Sequence, residues 1–174
     1  MYKRMLMGAA MGLALLAAPA AQAQAPAANP LDNIPDNMPF NIPYGAPISL
    51  DKAREVMAAA VAETKKRNWS LVIAIVDSGG NLVTFDRMDG SQLGSIAVAQ
   101  HKARAAAKFR RETKAFESGI QGGNNYLITL DDIIASRGGI PLVEGGKLIG
   151  AIGVSGGTGS QDEVAAKAGA AVVK

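Results

Sequence analysis

The sequence predicts an α+β fold, in which helices pack on a single antiparallel sheet. Residues 71–88 and 140–155 each contain two apolar runs joined by a short turn with adjacent glycines, which is typical of a β-hairpin. Helical patterns precede, separate and follow these two hairpins. Because hairpin strands pair antiparallel, we expect one antiparallel sheet with the helices packed on it.

The first 23 residues have the pattern of a secretory signal peptide. Lys3 and Arg4 give a basic start, residues 5–18 form an apolar run that is too short for a convincing membrane span, and residues 21–23 read Ala-Gln-Ala. We therefore expect a periplasmic or extracellular protein that has no membrane span after cleavage.

Residues 24–48 are predicted to form an extended, proline-rich tether. Six prolines at nearly regular spacing exclude a helix or a central strand from this range. Four large side chains are expected to pack along the domain surface: Ile34, Phe40, Ile42 and Tyr44.

The folded domain is predicted over residues 49–174, and its first helix over 50–68. Ser49 is the expected N-cap of this helix. The β-branched run 71–77 indicates a central strand, and 82–88 its partner across a glycine turn.

The second helix is predicted over 91–109. Short helices are expected over 114–118 and 130–135 in a segment whose pattern is ambiguous. The second hairpin then joins 140–143 to 147–155, and Ser160 with Glu163 forms the expected capping box of the last helix.

Charge and composition restrict the possible functions. Removal of residues 1–23 leaves 16 basic and 15 acidic residues, so the mature chain lacks the excess positive charge that nucleic-acid binding requires. The chain has no cysteine, which excludes disulfides, zinc–thiolate sites, iron–sulfur clusters and thiol nucleophiles.

Residues 153–157 read Gly-Val-Ser-Gly-Gly and match the G-x-S-x-G pattern of a hydrolase nucleophile elbow. That mechanism needs a histidine after the serine, and none follows Ser155. We interpret the segment as a glycine-rich turn before a capped helix. Asp162 and Glu163 are interpreted as first-turn acids that complement the helix dipole.

His101, the only histidine of the chain, lies on the second predicted helix among small and basic residues. Helical spacing places Gly94, Ala97, His101, Ala105 and Lys108 on one stripe, with Arg104 beside it. Such a surface suits a flat, apolar ligand with two carboxylates: the imidazole binds a metal, the alanines contact the apolar face, and Arg104 or Lys108 binds the carboxylates. The other interpretation is a solvated basic helix with an incidental histidine.

Four segments resemble the GlcG/HbpS family, which includes the C-terminal domain of PduO-type proteins, and they occur in the family's order: 71–90, 101–109, 138–157 and 161–170. The resemblance covers residues 49–174. It implies a profilin-like α/β/α arrangement and homo-oligomers, either dimers or octamers. Several members of this family bind haem.

The resemblance and the residues together predict an exported protein that binds haem or a related tetrapyrrole, in haem sensing, uptake or iron release. His101 is the expected ligand of the haem iron, inferred from its scarcity and its geometry on the helix. Arg104, Lys108 and Arg87 are expected near the propionates, and Met88 is an alternative soft ligand.

Two alternatives do without haem. One is a small-molecule isomerase or lyase with a pocket at the glycine-rich end of the sheet and Asp77, Asp131 or Asp162 as its base. The other is an accessory subunit of a metabolic pathway.

Export can be tested directly. The mature exported chain should begin at Gln24, or at Pro26 if cleavage follows Ala25. The measurement is the intact mass or N-terminal sequence of the exported protein, and retention of residues 1–23 would contradict the prediction.

Overall fold

A four-stranded antiparallel sheet forms the centre of the fold. In the computed structural model, which describes residues 33–173, the strands are β1 (Val72–Asp77), β2 (Leu82–Arg87), β3 (Gly139–Glu144) and β4 (Lys147–Ser155). Their order across the sheet is β2-β1-β4-β3, and every neighbouring pair is antiparallel. Both predicted hairpins are therefore confirmed, and the two are joined through β1 and β4. The predicted signal peptide lies outside the described residues.

Helices cover both faces of the sheet and give the α/β/α layers of an α+β fold. The helices are α1 (Leu50–Lys66), α2 (Ser95–Phe109), α3 (Lys114–Gln121) and α4 (Gly159–Ala170), with a 3₁₀ helix at Asn125–Thr129. Helices α1 and α4 pack together on one face, whereas α2 packs on the other. Among residues 33–173, no helix has both the length and the apolarity that crossing a bilayer requires.

Alternation along β1 divides the core between these two layers. Ile73 and Ile75 lie in the cluster with α1 and α4, whereas Val72, Ala74 and Val76 face α2. The buried face of α2 consists largely of alanines, so this helix approaches the sheet closely.

Gly153 on β4 shows how close that approach is. A Cβ atom at this position would lie 2.1 Å from the carbonyl oxygen of Ala99 and 2.4 Å from the amide nitrogen of Ala103, both in α2. Only glycine fits beneath the helix there without a shift of the backbone.

The two helix caps fit their predictions to different extents. Ser49 is confirmed as the N-cap of α1, and its hydroxyl accepts a hydrogen bond from the Lys52 amide at 3.2 Å. The capping box of α4 consists instead of Thr158 and Gln161, so the prediction of Ser160 and Glu163 is wrong. Thr158 is the last residue with an extended backbone, which places Ser160 inside the helix.

The segment after α2 departs most from the sequence prediction. Residues 130–132 form a bend and a turn, and 133–135 are irregular rather than helical, because Asp132 adopts a left-handed conformation with φ of 64°. Helix α2 also begins at Ser95 rather than Ser91, since the Ser91 hydroxyl and amide both bond the Met88 carbonyl in a turn.

Residues 37–48 run along the domain and contact the C-terminal end of α2. The Tyr44 hydroxyl donates to the Lys108 carbonyl at 2.8 Å, and the Gly45 amide donates to the Leu148 carbonyl at the start of β4. The Arg111 guanidinium lies 3.3 Å from the centre of the Phe40 ring. Ile34, in contrast, is exposed.

The close contact between α2 and the sheet predicts a strong effect of Gly153→Ala. The added methyl group must displace α2 or distort β4, and overpacking of this kind costs about 1–3 kcal/mol. Urea unfolding followed by circular dichroism measures this loss. Gly94→Ala is the matched control, because a Cβ there meets no atom within 4 Å, and its free energy of unfolding should change by less than about 0.5 kcal/mol. Equal effects of the two changes would contradict the prediction.

Candidate functional site

Three predicted ligand residues lie together on the outer side of α2. His101 is half-buried, while Arg104 and Lys108 are exposed. Their spacing of three and four residues along the helix keeps them on one side. Ala97 and Gly94 continue the exposed side toward the N-terminus of the helix.

Ala105 does not belong to this exposed surface, which corrects the predicted stripe. It is fully buried in a cluster with Phe116 of α3 and Leu127 of the 3₁₀ helix. The segment after α2 folds back over this part of the helix, and helical spacing alone cannot indicate such a cover.

The turn between β1 and β2 supports the two cations. A Cβ on Gly80 would lie 3.2 Å from Cγ of Arg104 and 3.6 Å from Cε of Lys108, so both aliphatic stems lie against this turn. Gly80 has φ of 85°, a conformation that favours glycine. The turn thereby contacts the aliphatic stems of both cations at the C-terminal half of α2.

Asp132 completes the group and was missed as a site residue by the sequence analysis. Its carboxylate accepts a hydrogen bond from the Lys108 ammonium at 2.5 Å. That hydrogen bond, with the charge of Lys108 and smaller electrostatic effects of His101 and Arg104, holds the pKa of Asp132 below its ordinary value against the opposing effect of burial. No helical pattern places this residue here, because its left-handed backbone breaks the predicted helix.

Arg87 is not brought together with Arg104 and Lys108. It pairs with Val72, at the end of the β1–β2 hairpin remote from the turn at Gly80. Five residues of strand separate the two places, or roughly 17 Å. Arg87 instead lines an open groove of about 440 Å³ with Val61 and Lys65 of α1 and the rest of residues 85–89.

Met88 also lines that groove, and its sulfur accepts a hydrogen bond from the Thr64 hydroxyl at 3.1 Å. This contact joins the end of β2 to α1 and accounts for the position of Met88 as a packing residue. Like Arg87, it lies at the far end of the hairpin from Lys108.

A buried ion pair joins the inner side of α2 to the start of α4. Lys102 Nζ and Asp162 Oδ2 are 2.7 Å apart, and the side chains are 1% and 3% exposed. The other carboxylate oxygen of Asp162 accepts the Gly157 amide at 3.0 Å. Burial raises the pKa of Asp162, against the opposing effect of the Lys102 ammonium. Lys102 is therefore buried and not part of the solvated basic surface of the helix. Asp162 is the counter-charge of Lys102 in addition to lying in the first turn of α4.

The three candidate bases of the enzyme alternative do not converge. Asp77 lies at the β1–β2 turn; burial would raise its pKa, but hydrogen bonds from Asn81 and Gly79 hold it below the ordinary value. Asp162 is enclosed at the opposite end of β1, while Asp131 is exposed in the segment after α2. Ser155 is the last residue of β4, where it is buried and hydrogen-bonded to the Ser95 hydroxyl at 3.1 Å, so the glycine-rich turn begins after it, at Gly156.

The fold is a small α/β/α domain, with two hairpins in one sheet, helices on both faces and exposed cations on α2. Residues 48–171 match the family model described as "Haem degrading protein HbpS-like". The chain belongs to this HbpS-like family, as the resemblance in the sequence implied.

Individual relatives agree with the family. Protein GlcG of Escherichia coli K12 is 43% identical over 108 residues, which are 62% of this chain and 81% of GlcG. A double mutant of HbpS from Streptomyces reticuli has a TM-score of 0.70 at 28% identity, covering 86% of this chain and 99% of that one. A PduOC:haem complex has a TM-score of 0.68 at 26% identity, covering 74% and 96%.

The buried pair predicts a strongly non-additive response to mutation. Lys102→Met should lower the free energy of unfolding by about 3–5 kcal/mol, because it leaves the Asp162 carboxylate buried without a counter-charge. The double variant Lys102→Met/Asp162→Asn should recover much of this loss. Urea unfolding of the wild type, the two single variants and the double variant measures the coupling free energy between the two residues.

The loss in Lys102→Met should also diminish in acid. A native carboxyl with a raised pKa binds a proton before the unfolded one does, so this variant gains stability as the pH falls toward 4 and loses it as the pH rises. Two results would contradict a coupled ion pair: additive effects of the Lys102 and Asp162 substitutions on the free energy of unfolding, and a loss in Lys102→Met that does not depend on pH.

Proposed function

We propose that this protein binds haem on the outer side of α2, with His101 as the iron ligand. The observation that carries the proposal is the juxtaposition of one accessible imidazole with two exposed cations, Arg104 and Lys108, on a single helix face. The PduOC:haem complex, solved for a protein of the same fold, supports the choice of ligand.

The residues at this position fit the chemistry of haem. The porphyrin supplies four nitrogens to the iron, so one imidazole completes an axial position. Arg104 and Lys108 suit the two propionates as charged hydrogen-bond donors. Apolar area is also present, since Ile128 and Leu130 are exposed on the segment that leads to Asp132. Arg87 lies too far along the hairpin to share this site and is left out of it.

The cellular setting belongs to the same proposal. The signal-peptide pattern supports export to the periplasm or outside the cell, and a role in haem sensing, uptake or iron release. Membership of the family supports a homo-oligomer, a dimer or an octamer. The enzyme alternative is less well supported, because Asp77 is held in the β1–β2 turn, Asp162 is buried in the ion pair with Lys102, and Asp131 is exposed.

His101→Ala tests the iron ligand. Alanine is the best helix former, so α2 should remain folded, while the haem affinity falls and the Soret band shifts to a position typical of haem without an imidazole ligand. Each tenfold loss of affinity corresponds to about 1.4 kcal/mol. The measurement is a haem titration by visible spectroscopy, with far-ultraviolet circular dichroism as the check on folding.

Three variants serve as comparisons for His101→Ala. Arg104→Ala and Lys108→Ala should weaken binding and leave the Soret position unchanged, because each removes only a partner of a propionate. Arg87→Ala should change neither quantity. If the spectrum and the affinity are unchanged in folded His101→Ala, the histidine does not bind the iron. If instead Met88→Leu alone changes the spectrum, Met88 is the iron ligand.

A further inference from the structure

Lys108, one of the two cations of the proposed site, already donates to a carboxylate of this chain. Its ammonium lies 2.5 Å from the Asp132 carboxylate, and the two side chains are 42% and 41% exposed. Water reaches both partners, so the ion pair is weak and can be exchanged for another carboxylate. This accessibility distinguishes it from the enclosed pair of Lys102 and Asp162.

The carboxylate of Asp132 is delivered to α2 by a packed segment. Leu127 precedes it and is 8% exposed, and Ile133 and Ile134 follow it and pack against the cluster around Phe116. The left-handed backbone of Asp132 lies between these two anchored parts. Its carboxylate is therefore held beside Lys108 by the fold and does not depend on the chance position of a free loop.

The surroundings of Asp132 are those of an anion site. His101, Arg104 and Lys108 all act on its pKa in the same direction, which places the three groups within electrostatic reach of one carboxylate. A ligand carboxylate that binds Lys108 enters the same field and competes with Asp132 for the ammonium charge.

We propose that Asp132 is an internal competitor for Lys108, and that it lowers the affinity of the site for ligands that carry carboxylates. The inference rests on the proposed haem site and adds a residue of this chain that sets how strongly the site binds carboxylates. A ligand with a carboxylate exchanges one ion pair for another and keeps the Lys108 ammonium bonded. A ligand of the same shape without carboxylates gains nothing from displacing Asp132.

The test compares haem with haem dimethyl ester, whose propionates are uncharged. Asp132→Asn is the informative variant, because asparagine tolerates the left-handed backbone. We expect its affinity for haem to rise about two- to fivefold, the size of an exposed ion pair, while its affinity for the ester stays within the error of the titration.

Two further variants distinguish the effect of the Lys108–Asp132 ion pair on haem affinity from the effect of removing any negative charge nearby. Asp131→Asn removes the same charge at the exposed neighbouring position and should raise the haem affinity by less than half as much. In a Lys108→Met background, Asp132→Asn should lose its effect on haem.

Three results would overturn this inference alone: equal gains for haem and the ester, equal gains for Asp131→Asn and Asp132→Asn, or a gain that persists without Lys108. Failure of the wild-type protein to bind either compound would overturn the proposed function, and the inference with it. The Soret position in each titration reports iron ligation independently of these affinities.

Discussion

The close approach of α2 to the sheet is the constraint on which the rest of the structure depends. A Cβ at Gly139 would lie 2.4 Å from the Lys102 carbonyl oxygen, and Gly153 leaves as little room beneath Ala99 and Ala103. Glycines on the strands and alanines on the helix allow backbone to approach backbone. Because α2 lies this close to the sheet, its outer residues reach the β1–β2 turn, and the aliphatic stems of Arg104 and Lys108 lie against Gly80.

Two lysines of the same helix show how burial decides the role of a charge. Lys102 is 1% exposed and needs the Asp162 carboxylate, because an unpaired ammonium in that position would carry a large desolvation cost. Lys108 is 42% exposed and shares its carboxylate partner with water. The first pair holds α2 to α4, whereas the second remains open to exchange, which is the property that a binding site requires.

Membership of the HbpS-like family gives this protein its fold, but the proposed site depends on residues of its own chain. Fold alone does not imply a function. The position of His101 beside two cations, with exposed apolar side chains on the neighbouring segment, supports the proposed haem site. The relative solved with haem supports the identity of the ligand, and the geometry of α2 supports its location.

The sequence by itself determined the two hairpins, the Ser49 cap and the helical pattern of α2, because glycine turns, caps and periodicity act over a few neighbouring residues. It also placed His101, Arg104 and Lys108 on one helix. Only the tertiary structure decided which sides of α2 are covered: Lys102 is enclosed by α4, Ala105 lies under the segment after α2, and Asp132 meets Lys108 from 24 residues away. Arg87 shows the converse. The sequence analysis grouped it with Arg104 and Lys108, but it pairs with Val72 at the end of the β1–β2 hairpin that is remote from the turn beside those two cations. Burial and charge pairing depend on contacts between distant parts of the chain, and these do not leave a periodic signal in the sequence.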